Sequence, residues 1–293
     1  GLNHPTQEAD KSLLMKGHSS GDVFMIAAPK LDGISGLQLE ILNHRDLPQN
    51  GPGRSRSGTW IVHELEVLVK KPDSANWDKV KLVNATADFS EAEAKSGDGK
   101  TVTGPVSLLI DGNDSTSWKA DRGQGLRNQP SVAVMQFETP LNYPEGTQIK
   151  IAWRMGDMPG CARFSLTHDA SPAAPAVDHG AVLAMRTPAA DRSAEQSTAL
   201  FSAWRKSVPE LKAVSDEIDG LWKSMPQAPT TVLHLASREP SNHRATSVLD
   251  RGNWDQPTRP VEPHVPAAFN PFPENAPKNR LGFAMWLTDP KAP

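Results

Sequence analysis

The sequence is nearly empty of cysteine. One thiol, Cys161, stands among 293 residues, so no internal disulfide can form and the fold must rest on its core. No stretch approaches the ~18 consecutive apolar residues of a membrane span. The first twenty residues also lack the apolar run of a secretory signal. Basic charge is not in excess. Lys and Arg number 31 against 34 acidic residues, a formal net charge of −3, which argues against a general nucleic-acid binder. The Gly-rich stretch at 50–60 does not end in G-K-[ST], so it is no P-loop, and no G-x-S-x-G marks a serine hydrolase. His234 and His243 are nine apart, without zinc spacing or cysteine support. The chain starts and stops without a terminus signal, as expected of a piece of a longer protein.

What the sequence does contain is β-pattern and proline. Its length suits two domains, or one large domain with appendages. A hydrophobic share of 37% and 26 prolines indicate extended or loop-rich parts. Residues 1–19 read as a polar tail. From 20 to 170 short alternating runs recur, separated by Gly, Pro, Asn and Asp. In "GLQLEIL", Leu37, Leu39 and Ile41 share a face. In "TWIVHELEVLVKK", Ile61, Leu65, Val67 and Val69 face one way and Glu64 and Glu66 the other. "WDKVKLVNATADF", "VSLLIDG", "SVAVMQFET", "TQIKIAWRM" and "ARFSLTHD" read as further strands. So many short strands predict a sandwich or barrel.

Residues 171–192 read as an Ala/Pro linker, with no helix before residue 190. Ser193 and Gln196 then form a capping-box pattern, with Leu200, Ala203 and Trp204 on one face. Leu211, Val214, Ile218, Leu221 and Met225 recur at helical spacing. The reading over 193–225 is a packed helical pair. Residues 226–293 hold 12 of the 26 prolines and read as an extended arm, the start of a further domain. Within it "NRLGFAMWL" predicts a short helix burying Leu281, Ala284, Met285 and Leu287.

The densest chemistry lies in "LIDGNDSTSWKA", residues 109–120. A plain turn needs one Asp or Asn and a Gly; this one carries Asp111, Asn113 and Asp114, then Ser115, Thr116 and Ser117. A hard cation such as Ca²⁺ takes six to eight oxygens from carboxylates, amides and carbonyls. Asp111, Asn113, Asp114 and Thr116 can supply several, and Gly112 lets the backbone bend. The spacing is not that of an EF-hand. The alternative is a solvated Asx-rich turn.

"LIDGNDSTSWKA" resembles the D-G-N-x-x-T-x-W stretch of discoidin-type, galactose-binding-like domains. The resemblance implies a jelly-roll β-sandwich, a structural calcium on that loop, and a glutamate from a neighbouring strand to complete the site. "VHELEVLV" resembles that strand and makes Glu64 the matching residue, although here it precedes the loop rather than following it. Trp118 is the core Trp of the motif. A wider resemblance, over about 20–290, is to segments of large secreted planctomycete proteins that carry a cytochrome c-like domain and domains of unknown function. It is carried by "LQLEILNHRDLPQNGPGRSRSGTWIVHELEV", "CARFSLT" and the pattern Arg244, Thr246, Val248, Arg251, Gly252, Asn253. It implies an extracytoplasmic location and neighbouring domains as partners. No C-x-x-C-H is present, so this segment holds no covalent haem.

Two loops are candidates for ligand contact. "NGPGRSRSGTW" carries Arg54, Arg56 and Trp60; "DRGQGLRNQP" carries Arg122 and Arg127. Guanidinium groups hydrogen-bond sugar hydroxyls and pair with sulfate or uronate. Trp60 and Trp77 are candidate stacking platforms or core residues. Cys161 has no base beside it in sequence, and paired carboxylates such as Glu64/Glu66 have ordinary strand spacing. The expectation is a mainly β protein with a galactose-binding-like sandwich, a helical pair and a proline-rich arm. As a function it implies non-catalytic binding of a polysaccharide or glycan, anionic ones included. The alternatives are a module that docks neighbouring domains, or an accessory part of a polysaccharide-degrading enzyme.

Overall fold

The computed structural model describes residues 3–17, 23–95, 97, 99, 102–155, 159–226 and 245–290. Strand accounts for 33% and helix for 23%, so the protein is mainly β. It divides into two compact units, Gly1–Gln227 and Ala228–Pro293.

The strands of the first unit are β1 (Asn3–Gln7), β2 (Leu13–Gly17), β3 (Val23–Ala27), β4 (Asp32–Ile41), β5 (Val62–Lys70), β6 (Asp78–Val80), β7 (Leu82–Ala87), β8 (Ala94–Lys95), β9 (Val102–Gly104), β10 (Thr116–Trp118), β11 (Ser131–Asn142), β12 (Gln148–Met155) and β13 (Cys161–Thr167). Helices α1 (His179–Arg186), α2 (Ala194–Ser207) and α3 (Lys212–Lys223) follow. One sheet, A, runs β1-β2-β13-β4-β11-β7; the other, B, runs β3-β12-β5-β10-β9-β8, with β6 also pairing β5. All pairings are antiparallel except β9 with β10.

Side chains alternate across a strand, so each sheet offers one apolar face. Leu37, Leu39 and Ile41 of β4 meet Leu65, Val67, Val69, Ile149, Ile151 and Trp153 of sheet B in one continuous core. Fully burying each such side chain is worth about 1.5–3 kcal/mol. The register of β5 slips once, between Arg154 and Met155 of its partner β12. The slip puts Val62, rather than Ile61, in the core, where it is fully buried.

Several expectations change. Residues 3–17 are not a tail but the hairpin β1–β2, which extends sheet A by pairing β2 with β13. "VSLLIDG" is not a strand: Val106–Leu109 is a 3₁₀ turn after Pro105, apolar because Leu109 fills the core. Between 171 and 192, taken as linker, α1 forms and packs Leu183 against Leu14, Leu42, Leu47 and Cys161 on the outer side of sheet A. The Ser193/Gln196 capping box is present. The helical pair, however, turns only part of its apolar stripe inward: Leu200, Ala203, Leu211 and Ile218 are half-buried. Trp204, Val214, Leu221 and Met225 are exposed, while Arg205 and Ser215 are buried. The reason is polar: Arg205 donates to Asp219 Oδ1 (2.8 Å) and to the Ser215 carbonyl (3.3 Å), and this fixes which faces meet.

In the second unit β14 (Thr246–Leu249) and β15 (Pro257–Val261) form a hairpin. Its turn places Arg251 and Gly252 at φ 47° and 76°, so the segment is not wholly an extended arm. Arg244 of the R-x-T-x-V pattern lies outside the described residues. In α4 (Arg280–Leu287), capped by Asn279 Oδ1, the buried side is Gly282 and Trp286. Leu281, Ala284, Met285 and Leu287 are exposed instead. Trp286 donates Nε1–H to the Asn270 carbonyl at 2.9 Å, which explains why it rather than a leucine turns inward.

Candidate functional site

The loop 110–115 connects the 3₁₀ turn to β10 and folds around its own oxygens. Gly112 sits at φ 77°, a conformation that favours glycine. Asp111 Oδ1 accepts from Asn113 N at 2.9 Å, and Asn113 Oδ1 from Ser115 N at 3.0 Å, two successive Asx turns. The buried Thr116 hydroxyl lies 2.9 and 2.8 Å from the two Asp111 carboxylate oxygens and 2.7 Å from the Asn113 carbonyl. One hydroxyl proton satisfies only one of these three acceptors. Asp111 Oδ1 already accepts from Asn113 N and the Asn113 carbonyl from Thr116 N at 3.1 Å, so each acceptor has a donor, and the three oxygens converge within hydrogen-bond distance of the Thr116 hydroxyl.

Glu64 reaches this loop from β5. It lies on the outer side of sheet B yet is only 4% exposed, because the loop covers it. Its Oε2 accepts from Gly112 N at 3.1 Å, across 48 residues of sequence. Burial, followed by the negative charge of Asp111 and Glu66, pushes its carboxyl up to about 7 against the opposing Gly112 hydrogen bond. The neighbouring His63 donates Nδ1–H to the Thr116 carbonyl at 3.0 Å, fixing the strand to the loop. Glu64, Asp111, Asn113 and Thr116 are thus brought together. Asp114 is not: its carboxylate turns away to Arg154. Among the described residues no group of three or more His, Cys, Asp or Glu is arranged to hold a metal. Any cation here would be held by two carboxylates with amide, hydroxyl and carbonyl oxygens.

The two arginine loops do meet, but for packing. Gly51 and Gly58 lie against the Asn128 side chain, where a Cβ on either would come within 2.8 and 2.5 Å of Asn128 Oδ1. Gly125 lies under Trp222 of α3, 2.3 Å from where its Cβ would stand. The glycines permit close approach rather than cradling an anion. Arg122 is buried, donating to Asp88 (2.7 Å) and Ser131 (2.9 Å) with its guanidinium over Phe89. Arg127 is paired with Asp121. Trp60, 3% exposed, packs edge-on against Trp118, centroids 4.7 Å apart, so no ring face is free for a sugar. The Arg122 and Trp60 side chains are therefore both enclosed by this fold. Arg56 is exposed and Arg54 half-buried.

Two constellations were not legible beforehand. The first is on sheet A. Glu40, 1% exposed, accepts from Arg163 Nε (2.6 Å), Arg163 Nη2 (3.0 Å) and His179 Nε2 (3.0 Å). Burial opposes its ionisation, but the hydrogen bonds from His179 and Arg163 prevail and hold it at about 2. Asp88 adds a second tie, accepting from the His179 backbone N at 2.9 Å and from Val132 N at 2.9 Å. The second is on sheet B, where Lys150 Nζ stands 4.6 Å from the Phe24 ring centroid and 5.9 Å from that of Trp77, with Lys70 Nζ 5.3 Å from Trp77. Trp77 was a candidate platform; its companions had only one signal, the outward parity of their strand positions. Compared with protein-family models, curated proteins and solved structures, the chain matches none.

Proposed function

We propose that this chain contains a non-catalytic carbohydrate-binding module of galactose-binding-like, jelly-roll type, part of a larger extracytoplasmic protein, with a structural calcium ion joining the 110–116 loop to Glu64. The observation that carries the calcium is the crowding of Asp111, the Asn113 carbonyl and the Thr116 hydroxyl beside a buried glutamate. An all-oxygen donor set with two carboxylates suits a hard divalent ion. The ion would neutralise Glu64 and Asp111 and hold the loop; the chemistry is structural, not catalytic. The glycan part rests on the resemblance of "LIDGNDSTSWKA" to discoidin-type domains.

The test is a thermal melt of protein stripped with EDTA and then titrated with Ca²⁺. A ligand that binds only the folded state adds about 2.7 kcal/mol at a hundredfold excess over its Kd. A raised midpoint that Asp111→Ala abolishes is the expected result. An unchanged midpoint at millimolar Ca²⁺ leaves the loop as a plain Asx-rich turn and sinks the calcium. Saturable retention by a polysaccharide in Ca²⁺ tests the glycan part.

A second reading, docking of neighbouring domains, is favoured by one observation: Phe201 and Trp204 of α2, and Val214 and Leu221 of α3, are each more than half exposed.

A further inference from the structure

The outer face of sheet B carries four side chains in a row: Phe24, Lys150, Trp77 and Lys70. We propose that this face is the polysaccharide-binding surface, and that it selects chains bearing carboxylate or sulfate groups. The inference rests on the module reading above and deepens it.

The register sets the face. Ile26 of β3 pairs with Lys150 of β12, Lys150 with Leu68 of β5, and Leu68 with Lys79 of β6. Phe24, Lys150 and Lys70 share this outward parity, because Met25, Ile151, Val67 and Val69 on the opposite parity lie within the core or pack on it. Trp77, just before β6, joins the face through its contacts with both lysines. With neighbouring strands about 4.8 Å apart, the four strands give a flat strip roughly 14 Å across. Phe24 is 58% and Ile26 47% exposed, although both lie on a strand, where apolar residues usually mark a buried face. Lys150 stacks between the rings of Phe24 and Trp77, and Lys70 stacks on Trp77. The lysine stems cover the aromatic rings while the ammonium groups stay in water.

Charge completes the argument. Among the described residues neither Lys70 nor Lys150 is in an ion pair. Of the two glutamates on this face, Glu66 is held by Lys79 at 2.7 Å and Glu64 is buried under the 110–115 loop. Arg154 and Asp114, at the margin, cancel each other. The strip is therefore cationic within a chain of net charge −3. A sugar ring offers C–H groups to an aromatic face, and a uronate or sulfate offers an anion to the adjacent ammonium. A dry protein interface fits less well, because lysine is depleted at interface cores, and here lysine stands at the centre.

The experiment is affinity electrophoresis of the whole chain in gels containing dextran sulfate, polygalacturonate or neutral dextran, with Ca²⁺ present. Binding of a dT oligonucleotide and the sedimentation mass are measured alongside. Retardation by the two anionic polymers, weakened at least about tenfold in Trp77→Ala and in the half-buried pair Lys70→Gln/Lys150→Gln, supports the proposal. Lys212→Gln, at an exposed lysine of α3, should bind as the parent does. Melting curves of the Lys→Gln pair confirm that the sheet is intact. Equal binding by parent and sheet-face variants overturns this face and leaves the module reading standing. Retardation by neutral dextran alone overturns the anionic preference. Tighter binding to the oligonucleotide, or a dimer that Phe24→Ser dissociates, gives the face to another partner. No retardation by any polysaccharide sinks the module reading itself.

Discussion

Sheets A and B each turn a glutamate outward and bury it, yet the two carboxyl groups behave in opposite ways. Glu40 on sheet A is held at about 2, and Glu64 on sheet B is pushed up to about 7. Burial raises both. The difference is the company. Glu40 receives three hydrogen bonds from a guanidinium and an imidazole, whereas Glu64 receives one backbone N–H and lies beside Asp111 and Glu66. The faces around them differ in the same sense. Over sheet A, α1 buries Leu14, Leu42 and Cys161 and closes the ion cluster. Over sheet B, Phe24 and Ile26 are open. One face is finished by the chain itself; the other carries its unmatched charge and apolar surface outward. The lesson is that an alternating strand pattern announces two faces but not which is covered.

The contrast can be broken most forcefully at Glu40. Glu40→Gln leaves Arg163 and His179 near a neutral amide and should cost about 3 kcal/mol in urea unfolding, the scale for breaking a buried ion pair. A loss below about 1 kcal/mol would mean that the cluster is far better hydrated than its geometry indicates. Acid and base limbs sharpen the same contrast. The stabilisation from Glu40 is complete above the ordinary carboxyl value of 4.5 and is lost as pH falls towards about 2. In calcium-free buffer the contribution of Glu64 has the opposite sign, complete below 4.5 and lost as pH rises to about 7. Each limb has a slope of at most about 1.4 kcal/mol per pH unit. Urea titrations from pH 2 to 8 should show both, and Glu64→Gln should flatten only the upper one. An upper limb that survives in that variant would assign the titration to another group. The smallest effect belongs to the open face, where Phe24→Ser should change stability by less than about 0.5 kcal/mol. A loss of several kcal/mol there would show that Phe24 is a covered residue after all.

Legibility followed periodicity. β4 and β5 were readable because Leu37, Leu39, Ile41, Leu65, Val67 and Val69 keep a strict period of two over a buried face. The Ile61/Val62 exchange was not readable, because the register slip depends on β12, more than 80 residues away. The stretch "VSLLIDG" misled because Leu109 is apolar for the sake of the core rather than for a strand. The α2–α3 stripe was legible in part: both helices form and Leu200, Ala203, Leu211 and Ile218 are half-buried, while the Arg205–Asp219 contact takes the most buried positions. Of the candidate site, the Asx turns of 111–116 were local and legible, and Trp60 was readable as a core residue, while the inward burial of the Arg122 side chain was not.

By itself, then, the sequence determined the regularly alternating strands β4 and β5, the capping box at Ser193 and the oxygen-rich composition of residues 111–117, because each depends on neighbours a few residues apart. Only the tertiary structure decided what those oxygens and charges meet. His179 reaches Glu40 across 139 residues, and Gly112 reaches Glu64 across 48. Burial and counter-charge, which set whether a carboxyl is held ionised or driven towards its protonated form, are properties of space rather than of order along the chain.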